Sequence, residues 1–166
     1  MNPWTRFFLL GTASVGFIGF LPYRIVPFTK WKGGGLLGSL VGWGLLWLAP
    51  EGGPIFWGIL LGIIALSIPV SHWAEKILAH HDDPRIVIDE VAGLWVAAIA
   101  VPRTLGPMMA ALILFRVFDV FKGPWCRWAA RAPGGWGVVA DDLLAGLLAN
   151  LLLHGFLRGS SLSPFP

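Results

Sequence analysis

Nine acidic residues occur in the chain, and seven of them fall into three groups: Asp82-Asp83 with Asp89-Glu90, then Asp119, then Asp141-Asp142. Carboxylates set among apolar residues are costly unless paired or metal-bound, so such groups mark function by default. Asp89 and Glu90 interrupt an Ile-Val-Ile run. Adjacent helical positions point about 100° apart, so both reach one polar site only at a crevice between helices, where Gly93 permits close approach. Several carboxylates converging in a low-dielectric place repel one another unless cations neutralise them. All-oxygen ligation of that kind suits magnesium, manganese or calcium, and magnesium commonly shares its coordination sphere with substrate phosphate. A phosphate grip lies close by: Arg116, Asp119 and Lys122 are spaced i, i+3, i+6 and share roughly one helical face. Two cations flanking an acid can hold a phosphoryl group while the acid holds metal. The stretch Pro133-Gly134-Gly135-Trp136-Gly137 offers backbone N–H groups to an anion ahead of a helix, and Gly33-Gly34-Gly35 invites the same reading.

Structural readings compete with these. Asp82-Asp83 suits a turn, and Asp141 or Asp142 suits a helix N-cap. The lone cysteine, Cys126, precedes Arg131 at C-x4-R spacing, which does not fit the C-x5-R of a cysteine phosphatase. The K-x6-R-P motif of histidine-dependent lipid phosphatases is absent, as are the D-x-D-x-T/V signature of aspartate-nucleophile phosphatases and the D-x2-D-G-x2-A-R signature of lipid-alcohol phosphotransferases. His80 and His81 read as polar turn residues and His154 as a packed histidine. A cation-conducting protein would spread its acids along the bilayer depth instead of gathering them.

The elements that must position these groups are apolar. Of the 166 residues 56% are hydrophobic and only 13% charged, which excludes disorder and nearly excludes an ordinary soluble domain. Six apolar runs stand out: Phe7 to Leu21, Leu36 to Leu48, Ile55 to Val70, Ile86 to Val101, Met108 to Phe121 and Leu143 to Leu157. All six reach only ~20–24 Å against a hydrocarbon core of ~30 Å, so each must borrow flanking residues or be partly re-entrant, the first two above all. The expectation is an all-α, polytopic membrane bundle of about six hydrophobic helices, forming a single domain over residues 1–166. If all six runs cross, Arg24, Lys30, Lys32, Lys76, Arg85, Lys122, Arg127 and Arg131 lie on one side, against Arg6, Arg103 and Arg158 on the other. The positive-inside bias places the first side in the cytoplasm, with the clustered acids on it. Trp4, Trp31, Trp47, Trp57, Trp73, Trp125, Trp128 and Trp136 mostly fall near run ends, as an interfacial belt would put them.

Three blocks resemble the phosphatidylglycerophosphatase A family of bacterial membrane phosphatases. They are Asp82 to Gly93 (DDPRIVIDEVAG), Phe115 to Pro124 (FRVFDVFKGP) and Gly134 to Gly146 (GGWGVVADDLLAG), and Gly38-Ser39-Leu40 adds a weaker match. The likeness spans about residues 33 to 157. The family's P-G-T-x-G-S-L reads here Gly34-Gly35-Leu36-Leu37-Gly38-Ser39-Leu40, without the Pro and Thr, and its K-P is here Lys122-Gly123-Pro124. The resemblance implies magnesium-dependent removal of the terminal phosphate of phosphatidylglycerophosphate, in the bacterial inner membrane with the site on the cytoplasmic side. It further implies Asp83, Asp89, Glu90, Asp119, Asp141 and Asp142 as metal ligands, with Asp89, Glu90, Asp119 and Asp142 catalytic. Arg116, Lys122, Gly134 and Gly135 are then expected on the phosphate. Two nucleophiles stay open, a metal-activated water, favoured because the aspartate-nucleophile signature is absent, and an acid such as Asp89 attacking to form an aspartyl-phosphate. Membrane lipids are the expected partners, and nucleic acid is not one. Another phospholipid headgroup as substrate for a phosphatase or phosphotransferase, or cation conduction, are the alternatives.

Overall fold

The computed structural model describes residues 1–25, 33–121, 123, 128–129 and 131–159, and among them the chain is all-α. Helix α1 (Pro3–Ala13) opens with Pro3, and the Asn2 side chain caps it by accepting from the Trp4 N–H at 2.8 Å. It stops where Val15, Gly16 and Phe17 all take positive φ, and a 3-10 turn (Ile18–Phe20) leads into α2 (Leu21–Ile25). The chain axis turns by 83° across this break. Then follow α3 (Gly34–Leu48), α4 (Gly53–Leu78), α5 (Ile88–Ala97), α6 (Leu105–Val120) and α7 (Gly135–Arg158).

Among the described residues, six hydrophobic spans are therefore not what forms. Among the described residues, two helices, α4 and α7, are long and apolar enough to cross a membrane, or three if the bent N-terminal pair is one broken span. The run from Phe7 to Leu21 is split by its left-handed corner, because three successive positive-φ residues cannot continue an α-helix. The run from Ile86 to Val101 yields a helix of 10 residues, about 15 Å long, that is apolar because protein surrounds it. Helix α5 packs against α3, α4, α6 and α7, and eight of its ten residues are buried. Its C-terminus is closed by Asn150 of α7, whose Nδ2 donates to the carbonyls of Ala97 at 3.0 Å and Ile99 at 2.8 Å.

Small residues set the helix spacing. A Cβ on Gly93 of α5 would sit 2.6 Å from both the Asp142 carbonyl oxygen and the Phe115 ring, and one on Gly146 of α7 would overlap the Gly93 carbonyl. Gly42 of α3 lies against Val91 in the same way and accepts from the Trp95 indole at 3.1 Å. Phe56 stacks on Trp95, with ring centroids 5.8 Å apart. In contrast, α4 turns Ile55, Trp57, Ile59, Leu61, Leu66 and Trp73 outward, an apolar surface that suits lipid more than water.

Candidate active site

The start of α5 is held from two sides. The Val87 N–H donates to the Ala13 carbonyl at the end of α1, at 2.9 Å. A Cβ on Gly19 would overlap the Arg85 carbonyl, and one on Gly34 would overlap the Pro84 carbonyl, so the loop before α5 is threaded between the N-terminal bend and the start of α3. Asp83 anchors that loop. One of its oxygens accepts from the Arg85 N–H at 3.0 Å and Nε at 2.7 Å, the other from Nη2 at 2.7 Å. The Arg85 guanidinium also lies over the rings of Phe20 and Tyr23. Burial would raise the Asp83 carboxyl, but the Arg85 hydrogen bonds outweigh it and hold the group below the usual carboxylate range.

Asp89 and Glu90 occupy the first turn of α5, where the helix dipole favours negative charge. Asp142 comes from α7, seven residues or about 10 Å beyond Gly135. Oxygens of Asp89, Glu90 and Asp142 all lie within 4.8 Å of one another. Asp89 and Asp142 are 4% and 3% exposed, and Glu90 carries a buried Oε2 with no hydrogen-bond partner. Three carboxylates enclosed this closely carry a Coulombic cost that a cation removes. The orphaned oxygen and the all-oxygen donor set fit a hard divalent ion, and the group could hold one.

The remaining wall is α3 and α6. Gly35 of α3 is where Glu90 rests: a Cβ there would overlap its Oε1 and stand 3.1 Å from Arg116 Nη1. That same Nη1 lies 2.5 Å from Asp119 Oδ2, an i, i+3 ion pair on α6. It also donates to Ser39 Oγ at 3.3 Å. Asp119 and Arg116 are both within Coulombic reach of Glu90.

The structure thus brings Asp89, Glu90 and Asp142 together with Arg116 and Asp119 alongside. Asp141 is buried beside Asp142 but stands outside the three-carboxylate group, as do Asp83 and Asp119. Since α7 starts at Gly135, Asp141 and Asp142 lie well inside the helix and neither is an N-cap. Gly134 and Gly135 press on α4, where a Cβ would overlap the His72 ring and the Ile68 carbonyl respectively. Lys122 and Cys126 lie outside the described residues. His81 pairs with Glu75 at 2.6 Å, and His154 Nε2 contacts the Ile99 carbonyl at 2.9 Å. The sequence offers Gly35 only within the Gly33-Gly34-Gly35 stretch and Ser39 only within the weaker Gly38-Ser39-Leu40 match, and ties neither to Glu90 or Arg116. Their i, i+4 spacing, which places them on one face of α3, was the available signal.

Residues 11–157 match the family profile described as Phosphatidylglycerophosphatase A. A protein of Escherichia coli (strain K12) named phosphatidylglycerophosphatase A is 32% identical over 157 residues, covering 92% of this chain and 83% of the relative. One of the same name from Haemophilus influenzae is 28% identical, covering 92% and 93%. A protein of Bacteroides thetaiotaomicron named putative phosphatidylinositol-3-phosphatase is 34% identical over 136 residues, covering 76% of this chain and 82% of the relative. No solved structure matches significantly.

Proposed function

The chain belongs to the phosphatidylglycerophosphatase A family of hydrolases, and on that premise we propose that it hydrolyses phosphatidylglycerophosphate to phosphatidylglycerol and inorganic phosphate. The observation that carries the reading beyond family membership is the meeting of three carboxylates, two buried and Glu90 half-buried, with an arginine that already has an anion partner. Asp89, Glu90 and Asp142 would hold magnesium, which when bound neutralises phosphoryl oxygens and makes a coordinated water more acidic. Arg116 would grip the equatorial phosphoryl oxygens, exchanging part of its contact with Asp119 for the phosphate. Asp119 keeps the guanidinium turned toward the carboxylates before substrate arrives. Water attacks phosphorus, the bond to the glycerol oxygen breaks, and that oxygen leaves with a proton. Asp141 and Asp83 are assigned supporting parts: Asp141 beside a ligand, Asp83 through the loop that seats α5. Lys122, on the sequence pattern, would add a second cation to the phosphate. Between the two long apolar helices or at their facing ends the sequence carries Lys76, Arg85, Lys122, Arg127 and Arg131, and this basic stretch supports a site reached from the cytoplasmic side of a bacterial inner membrane.

The relative named for phosphatidylinositol-3-phosphatase supports a second reading, in which the headgroup differs and the chemistry does not. Phosphate release by the purified protein from phosphatidylglycerophosphate and from phosphatidylinositol 3-phosphate, in matched detergent micelles, separates the two. The expected result is a kcat/KM at least about tenfold higher on phosphatidylglycerophosphate, the ratio that about 1.4 kcal/mol of differential transition-state binding produces. Preference for the inositol lipid would replace the first reading with the second.

A further inference from the structure

Ser39 sits at the meeting point of α3 and α6 with no exposed surface. A serine hydroxyl has one proton and two lone pairs. Here the proton is committed: Ser39 Oγ donates to the Gly35 carbonyl, four residues back along α3, at 2.8 Å. What the oxygen has left is acceptor capacity, and Arg116 Nη1 donates to it at 3.3 Å. The same nitrogen is the one paired with Asp119, so the guanidinium is fixed between a charged partner on its own helix and a neutral partner on the facing helix. Gly35 completes the arrangement, because any side chain there would push into both the Glu90 carboxylate and Arg116. A hydroxyl already donating along its own helix is a one-directional acceptor, and that makes it a stop for a cation.

We propose that Ser39 is a positioning residue for phosphate recognition, acting through Arg116: its hydroxyl oxygen holds the guanidinium beside the three-carboxylate group when Asp119 gives way to phosphate. This rests on the reading of Arg116 as the phosphate grip given above. Asp119 alone cannot do this, since it competes with the incoming phosphate for the same cation, whereas a neutral acceptor stays engaged with substrate bound. The described hydrogen bonds of Ser39 go to Gly35 and Arg116, not to Asp89, Glu90 or Asp142, so its loss is felt in binding and orientation.

The test uses the full chain in detergent and reads two quantities for wild type, Ser39→Ala, Arg116→Lys and the double variant. One is KM and kcat for phosphatidylglycerophosphate; the other is the dissociation constant for inorganic phosphate, measured by calorimetry in magnesium. Loss of a hydrogen bond to a charged group weakens binding about tenfold. Ser39→Ala is therefore expected to raise KM and the phosphate dissociation constant together by about that factor. In the Arg116→Lys background the same change should add less than about twofold, because its partner is gone. Ser39→Gly, which also removes the hydroxyl, is expected to behave as Ser39→Ala and serves if the alanine variant does not accumulate. A lower kcat with both binding quantities unchanged, as a smaller folded fraction would give, overturns the proposal, and so do fully additive effects in the double variant. If wild type binds phosphate but does not hydrolyse the lipid, the substrate reading fails while the phosphate arm still decides the role of Ser39.

Discussion

Glu90 carries the most informative atom in the molecule, a buried carboxylate oxygen without a hydrogen-bond partner, on a carboxylate grouped with those of Asp89 and Asp142. Such an oxygen is a cost to the metal-free protein and a ligand in the metal-bound one. Glu90→Gln and Asp142→Asn are expected to lower phosphate release by at least about 100-fold, in proportion to the importance of metal-site groups. In EDTA, thermal unfolding of Glu90→Gln should occur at or above the wild-type temperature, because like-charge repulsion has been relieved. Magnesium should then raise the unfolding temperature of wild type but not of the variant. A variant that melts far below wild type in EDTA would mean that Glu90 is structural. Arg116→Ala should cost about 100-fold in kcat/KM, whereas exposed Arg131→Ala should stay within about threefold. Equal losses would remove Arg116 from the phosphate. These acids were legible from sequence because carboxylates inside apolar runs have few bland explanations. The contacts of Ser39 with Arg116 and of Gly35 with Glu90 were not, since a serine and a glycine in a glycine-rich helix are ordinary packing residues until their neighbours are known.

At the scale of elements, the site depends on how closely α5 and α7 approach. Gly93→Ala places a Cβ against the Asp142 carbonyl and the Phe115 ring, and overpacking of this kind costs about 1–3 kcal/mol. Its unfolding temperature should fall and its activity with it, whereas Gly44→Ala and Gly62→Ala, which meet nothing within 4 Å, should change neither. A Gly93→Ala variant with wild-type activity would mean that Asp142 does not need this crossing. The loop before α5 adds a pH dependence. Asp83 is held below the usual carboxylate range by Arg85, so its contribution to stability is present above the ordinary carboxylate pKa of about 3.9 and is lost as pH falls through its depressed value. Asp83→Asn should therefore unfold more easily than wild type near neutrality, with the difference vanishing in strong acid; a gap that persists in acid would place the effect elsewhere. Sequence located the apolar runs and marked Phe7 to Leu21 as short or re-entrant, as its 83° bend allows, but misjudged Ile86 to Val101. Ile86 to Val101 reads as a lipid-facing span because burial in protein and burial in lipid leave the same composition. The left-handed corner at Val15, Gly16 and Phe17 has only one glycine to announce it.

For the whole molecule, α4 and α7 set the frame and α5 is a buried plug that brings Asp89 and Glu90 to Asp142 of α7, so the acids converge by helix packing, with fewer than six full spans among the described residues. The proposed cytoplasmic site sets the orientation to be tested. With Cys126 replaced by Ser, single cysteines at His80 and Arg131 should react with a membrane-impermeant maleimide only after the inner membrane is opened; labelling in intact cells would reverse the topology. The central claim is that a divalent cation held by Asp89, Glu90 and Asp142 enables a lipid phosphate to be hydrolysed. Its most direct measurement is inorganic phosphate released from phosphatidylglycerophosphate by the purified protein in magnesium, after EDTA, and after magnesium is restored. Release that stops with EDTA and resumes with magnesium is the predicted result. Release that continues unchanged in EDTA, or folded protein that releases no phosphate in magnesium, would contradict it.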